Sequence, residues 1–79
     1  MITRNTYSVV SGTYELTSSQ LAYRKIYMIA REGKIHTFVT TNDDVVLLDL
    51  QAKYSPAYGS IYFDIPFNTG EKITVVYES

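Results

Sequence analysis

The sequence predicts an all-β domain: an antiparallel β-sandwich of jelly-roll type, or a small barrel, built from roughly six or seven short strands. Three observations lead there. Val, Ile, Thr, Tyr and Phe, which suit a pleated and half-buried surface, dominate the 79-residue chain. The segment Ser60 to Phe67 alternates strictly, with Ile61, Phe63, Ile65 and Phe67 on one side and Tyr62, Asp64 and Pro66 on the other. Turn-forming clusters recur about every eight to twelve residues, the spacing of antiparallel all-β domains. A chain of this length has room for one core, so residues 1–79 are expected to form a single domain.

The elements follow in order. Tyr7 to Val10 and Thr13 to Leu16 flank Ser11-Gly12, as two short strands or one bent at the glycine. Thr17 to Gln20 is a loop with room for a helical turn. Tyr23 to Arg31 and Lys34 to Thr41 bracket Glu32-Gly33, where glycine allows the positive φ of a tight hairpin. The polar break Thr41-Asn42-Asp43-Asp44 precedes Val45 to Leu50, whose length and Gln51 to Pro56 exit favour a buried strand over a helix. Ala52 to Gly59 is the longest irregular segment expected. Pro66 has no N–H to give a ladder, so the strand before it is an edge or is ending. Phe67-Asn68-Thr69-Gly70-Glu71 suits a second hairpin, leading into Lys72 to Glu78.

Composition narrows function. With no cysteine and one histidine, disulfides are excluded and a zinc site is not expected, which leaves oligomerisation as the staple open to so small a domain. The formal charge of -1 gives no general attraction to nucleic acid or anionic lipid. Met1 to Ser11 has one arginine and no sustained apolar run, so neither a signal peptide nor a membrane segment is expected.

The chemistry-bearing residues argue against an enzyme. His36 lies mid-strand, beside Lys34 and Phe38, and reads as a surface or partly buried histidine. There is no cysteine nucleophile, no Gly-x-Ser-x-Gly elbow and no second histidine to act as a base. Asp43 and Asp44 share a turn, while Asp49 and Asp64 fall in separate strands, so no carboxylate pair is brought together by the sequence. No phosphate-binding or dinucleotide-binding glycine motif is present. No catalytic residue, cofactor or metal is therefore expected. Asn42 to Asp44 could offer three oxygens to calcium, but without the spacing of a calcium loop the turn alone accounts for them.

Binding is the reading that remains. The eight tyrosines, at 7, 14, 23, 27, 54, 58, 62 and 77, bring large contact area and a polar tip, the properties of interface residues. Several strands look apolar on both faces: Ile26 and Met28 oppose Tyr27 and Ile29, and Val75 opposes Val76. Such strands are covered on both sides, by a barrel interior or by a second chain, and the second chain is favoured. Tyr23, Tyr27, Tyr54, Tyr58 and Tyr62 are the interface candidates. An alternative is a small barrel that binds single-stranded nucleic acid through Arg24, Lys25, Tyr27, Arg31 and Lys34, since alternation puts Tyr23, Lys25, Tyr27 and Arg31 on one face. A carbohydrate- or peptide-binding module using Tyr54 to Gly59 is a further one.

Ser11-Gly12-Thr13-Tyr14-Glu15-Leu16-Thr17, the Glu32-Gly33 hairpin and the closing run Pro66 to Tyr77 give the chain a resemblance to the small all-β accessory virion proteins of tailed phages: decoration, head-fibre and related structural subunits. The resemblance implies a symmetric homo-oligomer, often a trimer, attached to a capsid or tail, located in the virion or in the host cytoplasm. It carries over no catalytic or binding residue. The chain departs from that pattern in having no long polar arm for docking to a capsid lattice.

Overall fold

A computed structural model describes residues Met1 to Ser79. Seven strands follow one another: β1 (Ile2–Ser8), β2 (Glu15–Thr17), β3 (Ile26–Arg31), β4 (Lys34–Thr40), β5 (Gln51–Ser55), β6 (Ser60–Phe63) and β7 (Lys72–Glu78), with a 3₁₀ turn (Ser19–Leu21) between β2 and β3. The chain is all-β. The strands form one sheet in the order β1-β7-β3-β4-β5-β6-β2, curled into a half-barrel.

Local turn chemistry makes the β3–β4 hairpin as the sequence predicts. Arg31 pairs with Lys34, and Glu32 (φ 48°) and Gly33 (φ 79°) both take left-handed backbone, the two-residue turn whose twist matches paired strands. Glu32 tolerates this conformation because Lys72 holds it twice: the Glu32 N–H donates to the Lys72 carbonyl (3.1 Å) and the Lys72 N–H donates to the Glu32 carboxylate (2.7 Å). The helical turn anticipated before Tyr23 is also present, with the Ser18 hydroxyl accepting from the Gln20 N–H. It carries Leu21 into the core as a fully buried plug.

Three expectations change. Val45 to Leu50 is not a buried strand. It is the outer part of an irregular crossover, residues 41–50, that joins the parallel pair β4 and β5, and Val46 and Leu48 are 91% and 69% exposed. A parallel step has no two-residue solution, so the chain must leave the ladder to come round again. The strand lies just downstream, in Gln51 to Ser55, where the sequence suggested a loop. Its partner is β6, across the Pro56 to Gly59 turn. Asn68 to Glu71 does turn, with Glu71 N–H donating to the Asn68 carbonyl (3.3 Å), but it makes no hairpin. The strand before it ends at Phe63, and β7 pairs with β1 and β3 instead. The fold is thus one mixed sheet whose end strands, β1 and β2, are not paired with each other.

A bulge in β3 resolves the apparent two-sided apolarity. Ile26 opposes Tyr77 and Met28 opposes Val76, leaving Tyr27 as the extra residue. The alternation therefore changes phase at Tyr27. Ile26 and Ile29 pack inside with Val75 and Tyr77, and Met28 and Val76 share the outer face, half-buried. Leu16, Leu21, Ile29, Ala52, Tyr54, Ile61, Phe63, Phe67, Ile73, Val75 and Tyr77 make one continuous core on the concave side. Side chains join β1 to the 3₁₀ turn: Tyr7 Oη and Asn5 Nδ2 donate to Gln20 Oε1 (3.1 and 3.3 Å), while Asn5 Nδ2 also lies 2.9 Å from Tyr77 Oη on the neighbouring β7.

Gly59 is where two loops meet. It has φ 62°, and a Cβ there would strike the Ser18 carbonyl oxygen and come within 2.9 Å of the Ala22 backbone nitrogen. Gly59→Ala is therefore expected to cost on the order of 2 kcal/mol, from left-handed strain plus backbone displacement. Denaturant unfolding of the variant checks it.

Candidate functional site

The principal concavity lies at one end of the half-barrel, in a pocket of about 230 Å³ lined by Arg31, Glu32, Lys34, His36, Leu50, Asp64, Ile65, Asn68 and Glu71. The β3–β4 hairpin supplies its first four residues, the end of the crossover supplies Leu50, and the segment between β6 and β7 supplies the rest.

Arg31 forms the floor. After the Tyr27 bulge it opposes Ile73 on the core side, so its guanidinium is buried. A buried guanidinium needs its charge and donors met. Nε and Nη2 donate to the two Glu71 carboxylate oxygens at 3.0 and 2.6 Å. Nη1 and Nη2 donate to the Ile65 and Pro66 carbonyls at 2.8 and 2.6 Å. The guanidinium carbon also lies 5.7 and 5.1 Å from the ring centroids of Phe63 and Phe67. The guanidinium hydrogen bonds, with one from the Asn68 N–H, hold the Glu71 carboxyl down at a pKa of about 2, well below the usual 4.5.

The wall is His36 and Asp64. His36 opposes Ile29 and turns its ring inward, edge-on to Phe63 at 5.4 Å between centroids. It is buried, where the sequence suggested a surface or partly buried side chain, because its parity in β4 matches that of Phe38 on the concave face. Its Nδ1 lies 3.1 Å from the Lys34 carbonyl, and its Nε2 lies 3.9 Å from Asp64 Oδ1. Asp64 Oδ2 accepts from the Leu50 N–H (3.2 Å), while Oδ1 is buried without a hydrogen-bond partner. Sequence reasoning missed this pair because β4 and the end of β6 meet only once β5 lies between them.

The tyrosine candidates scatter. Tyr23 and Tyr58 are exposed (76% and 66%) on loops that meet at the opposite end, where Tyr23 N–H donates to the Pro56 carbonyl. Tyr27 is partly exposed beside Glu78, to which its Oη donates (3.2 Å). Tyr62 lies half-buried on the outer face, 4.4 Å under the Lys53 ammonium. Tyr54 is no interface residue. Only 1% exposed, it donates its hydroxyl hydrogen to the Leu21 carbonyl and accepts from the Arg24 N–H, so it ties the 3₁₀ turn to β5.

The nucleic-acid set divides in the same way. Arg24, Lys25, Tyr27 and Lys34 are exposed, but Arg31 is not available to a phosphate. The single basic face expected from alternation is broken by the bulge. Asn42, offered as a calcium ligand, spends its side-chain oxygen on Ser55 Oγ (2.9 Å) and the Ala57 N–H (3.0 Å). No group of three or more acidic, histidine or cysteine side chains is placed to hold a metal, and no helix is long and apolar enough to cross a membrane. Compared with protein-family models, curated proteins and solved structures, the chain matches none.

Glu71→Gln is expected to cost on the order of 3 kcal/mol by leaving Arg31 buried without its counter-charge. Because the Glu71 pKa is lowered in the fold, its contribution is complete above about pH 4.5 and is lost as pH falls toward about 2. Urea unfolding across that window should show the parent losing stability and Glu71→Gln losing less.

Proposed function

We propose that this chain is a non-enzymatic binding and assembly domain, and that the crossover 41–50 is its principal contact surface, with a second copy as the partner. The observation that carries the reading is where the apolar side chains of the crossover stand. Val45, Val46, Leu48 and Leu50 are 44%, 91%, 69% and 50% exposed on one continuous segment. The core is closed by other residues, and none of these four side chains belongs to it. Apolar surface concentrated on one segment marks a place that another surface covers. The crossover is held ready for contact: Lys53 Nζ donates to the Asp43 carbonyl (3.1 Å), and the Gln51 N–H donates to the Leu48 carbonyl (3.1 Å).

The edge strand β1 supports the same reading. Its seven residues pair with β7 on one side only, and an unpaired edge accepts another strand. A second copy on the open edges would complete the sandwich or barrel that the alternation predicts. Attachment to a capsid, tail or other large particle, and the trimeric form, rest on the resemblance alone.

A second reading keeps one observation in its favour. Tyr23, Arg24, Lys25 and Tyr27 remain exposed on one short segment, with the Lys25 ammonium 5.3 Å from the Tyr27 ring centroid. Such a strip can stack on and neutralise a single strand of nucleic acid. Light scattering after size exclusion, at low and high salt, separates the two. A closed oligomer at both salts supports assembly, whereas a monomer that binds oligonucleotide only at low salt supports the second reading.

Replacing Val46 and Leu48 together by serine is expected to shift the measured mass to that of the monomer. The melting temperature of the isolated fold should hardly move, since exposed substitutions stay within about 0.5 kcal/mol. An unchanged oligomer would place the interface elsewhere.

A further inference from the structure

We infer that His36 and Asp64 form a proton-operated latch that fastens the end of the crossover to the rim of the half-barrel. The hydrogen bonds around the imidazole fix its form. The Lys34 carbonyl can only accept, so the ring nitrogen 3.1 Å away, Nδ1, carries the hydrogen. In the neutral ring Nε2 is then a bare acceptor, and it faces Asp64 Oδ1, another acceptor, across 3.9 Å. Two acceptors confront each other, and no group of the chain donates to Asp64 Oδ1. A proton on Nε2 supplies the donor, and closure of the gap from 3.9 Å to hydrogen-bond length turns the contact into an ion pair.

The other carboxylate oxygen is the mechanical link. Asp64 Oδ2 accepts from the Leu50 N–H at 3.2 Å, and the Leu50 carbonyl accepts from the Thr37 N–H at 3.1 Å. Leu50 sits at φ 57°, a left-handed conformation that a leucine keeps only where its surroundings hold it. Protonation of His36 anchors Asp64 from its second side and so tightens the grip on this strained residue. Loss of the proton leaves Asp64 held by Leu50 alone.

The other charges around the pair are committed or exposed. From β3, Arg31 is bonded to Glu71, which comes from the segment before β7. From the β3–β4 turn, Glu32 accepts from the Lys72 N–H. Lys34 on β4 and Asp49 on the crossover are exposed to solvent. The proton that works the latch is therefore the one on His36 Nε2, which faces Asp64. The inference does not rest on the assembly reading, because its readouts belong to the single folded chain.

Nitrogen-15 NMR of the histidine ring, with amide hydrogen exchange at Leu50, tests it on the parent protein. The expected result is an Nδ1–H tautomer in the neutral ring, with Nε2 taking up the second proton when the solution is acidified. In step with that change, Leu50 protection should rise about tenfold after correction for intrinsic exchange, the scale of one charge-assisted hydrogen bond. In Asp64→Asn and, separately, His36→Gln, this rise should disappear. An Nε2–H tautomer at high pH, Leu50 protection indifferent to the charge on His36, or a full response in Asp64→Asn would overturn the inference.

Discussion

The buried guanidinium of Arg31 is the constraint on which the rest of the structure depends. The segment between β6 and β7 must carry the chain from one side of the sheet, past β5, β4 and β3, to the place where β7 enters between β3 and β1. Its backbone is held on the way at two places: the Gly12 N–H donates to the Phe67 carbonyl and the Phe67 N–H to the Thr13 carbonyl (both 2.8 Å). Arg31 holds the rest, donating to the Ile65 and Pro66 carbonyls and to both oxygens of Glu71. Its plane also covers Phe63 and Phe67, so the charge is compensated and the rings are shielded by the same side chain. A lysine could not replace it, because one ammonium cannot reach two carbonyls and a carboxylate in fork geometry.

Two irregularities then shape the surface. The Tyr27 bulge shifts the phase of β3, which is how Arg31 comes to face the core while Met28 and Ala30 share the outer face with Val76 and Thr74. The crossover 41–50 is the cost of making β4 and β5 parallel in so short a chain. A helix would ordinarily fill such a step and bury its own apolar stripe. Here the connection is too short to do so, and its valines and leucines stay outside. The same feature that looks like a defect in packing is the strongest sign of a contact surface on the molecule.

How much of this was legible depends on range. The Glu32-Gly33 hairpin and the turn before Tyr23 could be read because each is decided by a few neighbouring residues. Ile61 and Phe63 were legible as inward from alternation, but the strand ends at Phe63, and Ile65, expected on the same face, is 55% exposed. Val45 to Leu50 misled because a short apolar run looks the same whether it is buried or left outside. Tyr54 misled for a related reason: tyrosine serves interfaces and cores alike, and only its bonds to Leu21 and Arg24 separate the two. The pocket was not legible at all, since Arg31, His36, Asp64 and Glu71 come together only through the strand order.

By itself the sequence determined an all-β chain, because strand propensity, alternation and turn chemistry act over a few residues and agree with one another. It also determined which cross-links the domain could never use, since cysteine is absent. Only the tertiary structure decided that one strand pair is parallel, that the Asn68 to Glu71 turn joins distant strands, and that His36 meets Asp64. Those outcomes turn on which strand lies beside which, a contest between pairings of similar local quality. It is settled by the burial of one shared core and by the partners that a single buried arginine requires.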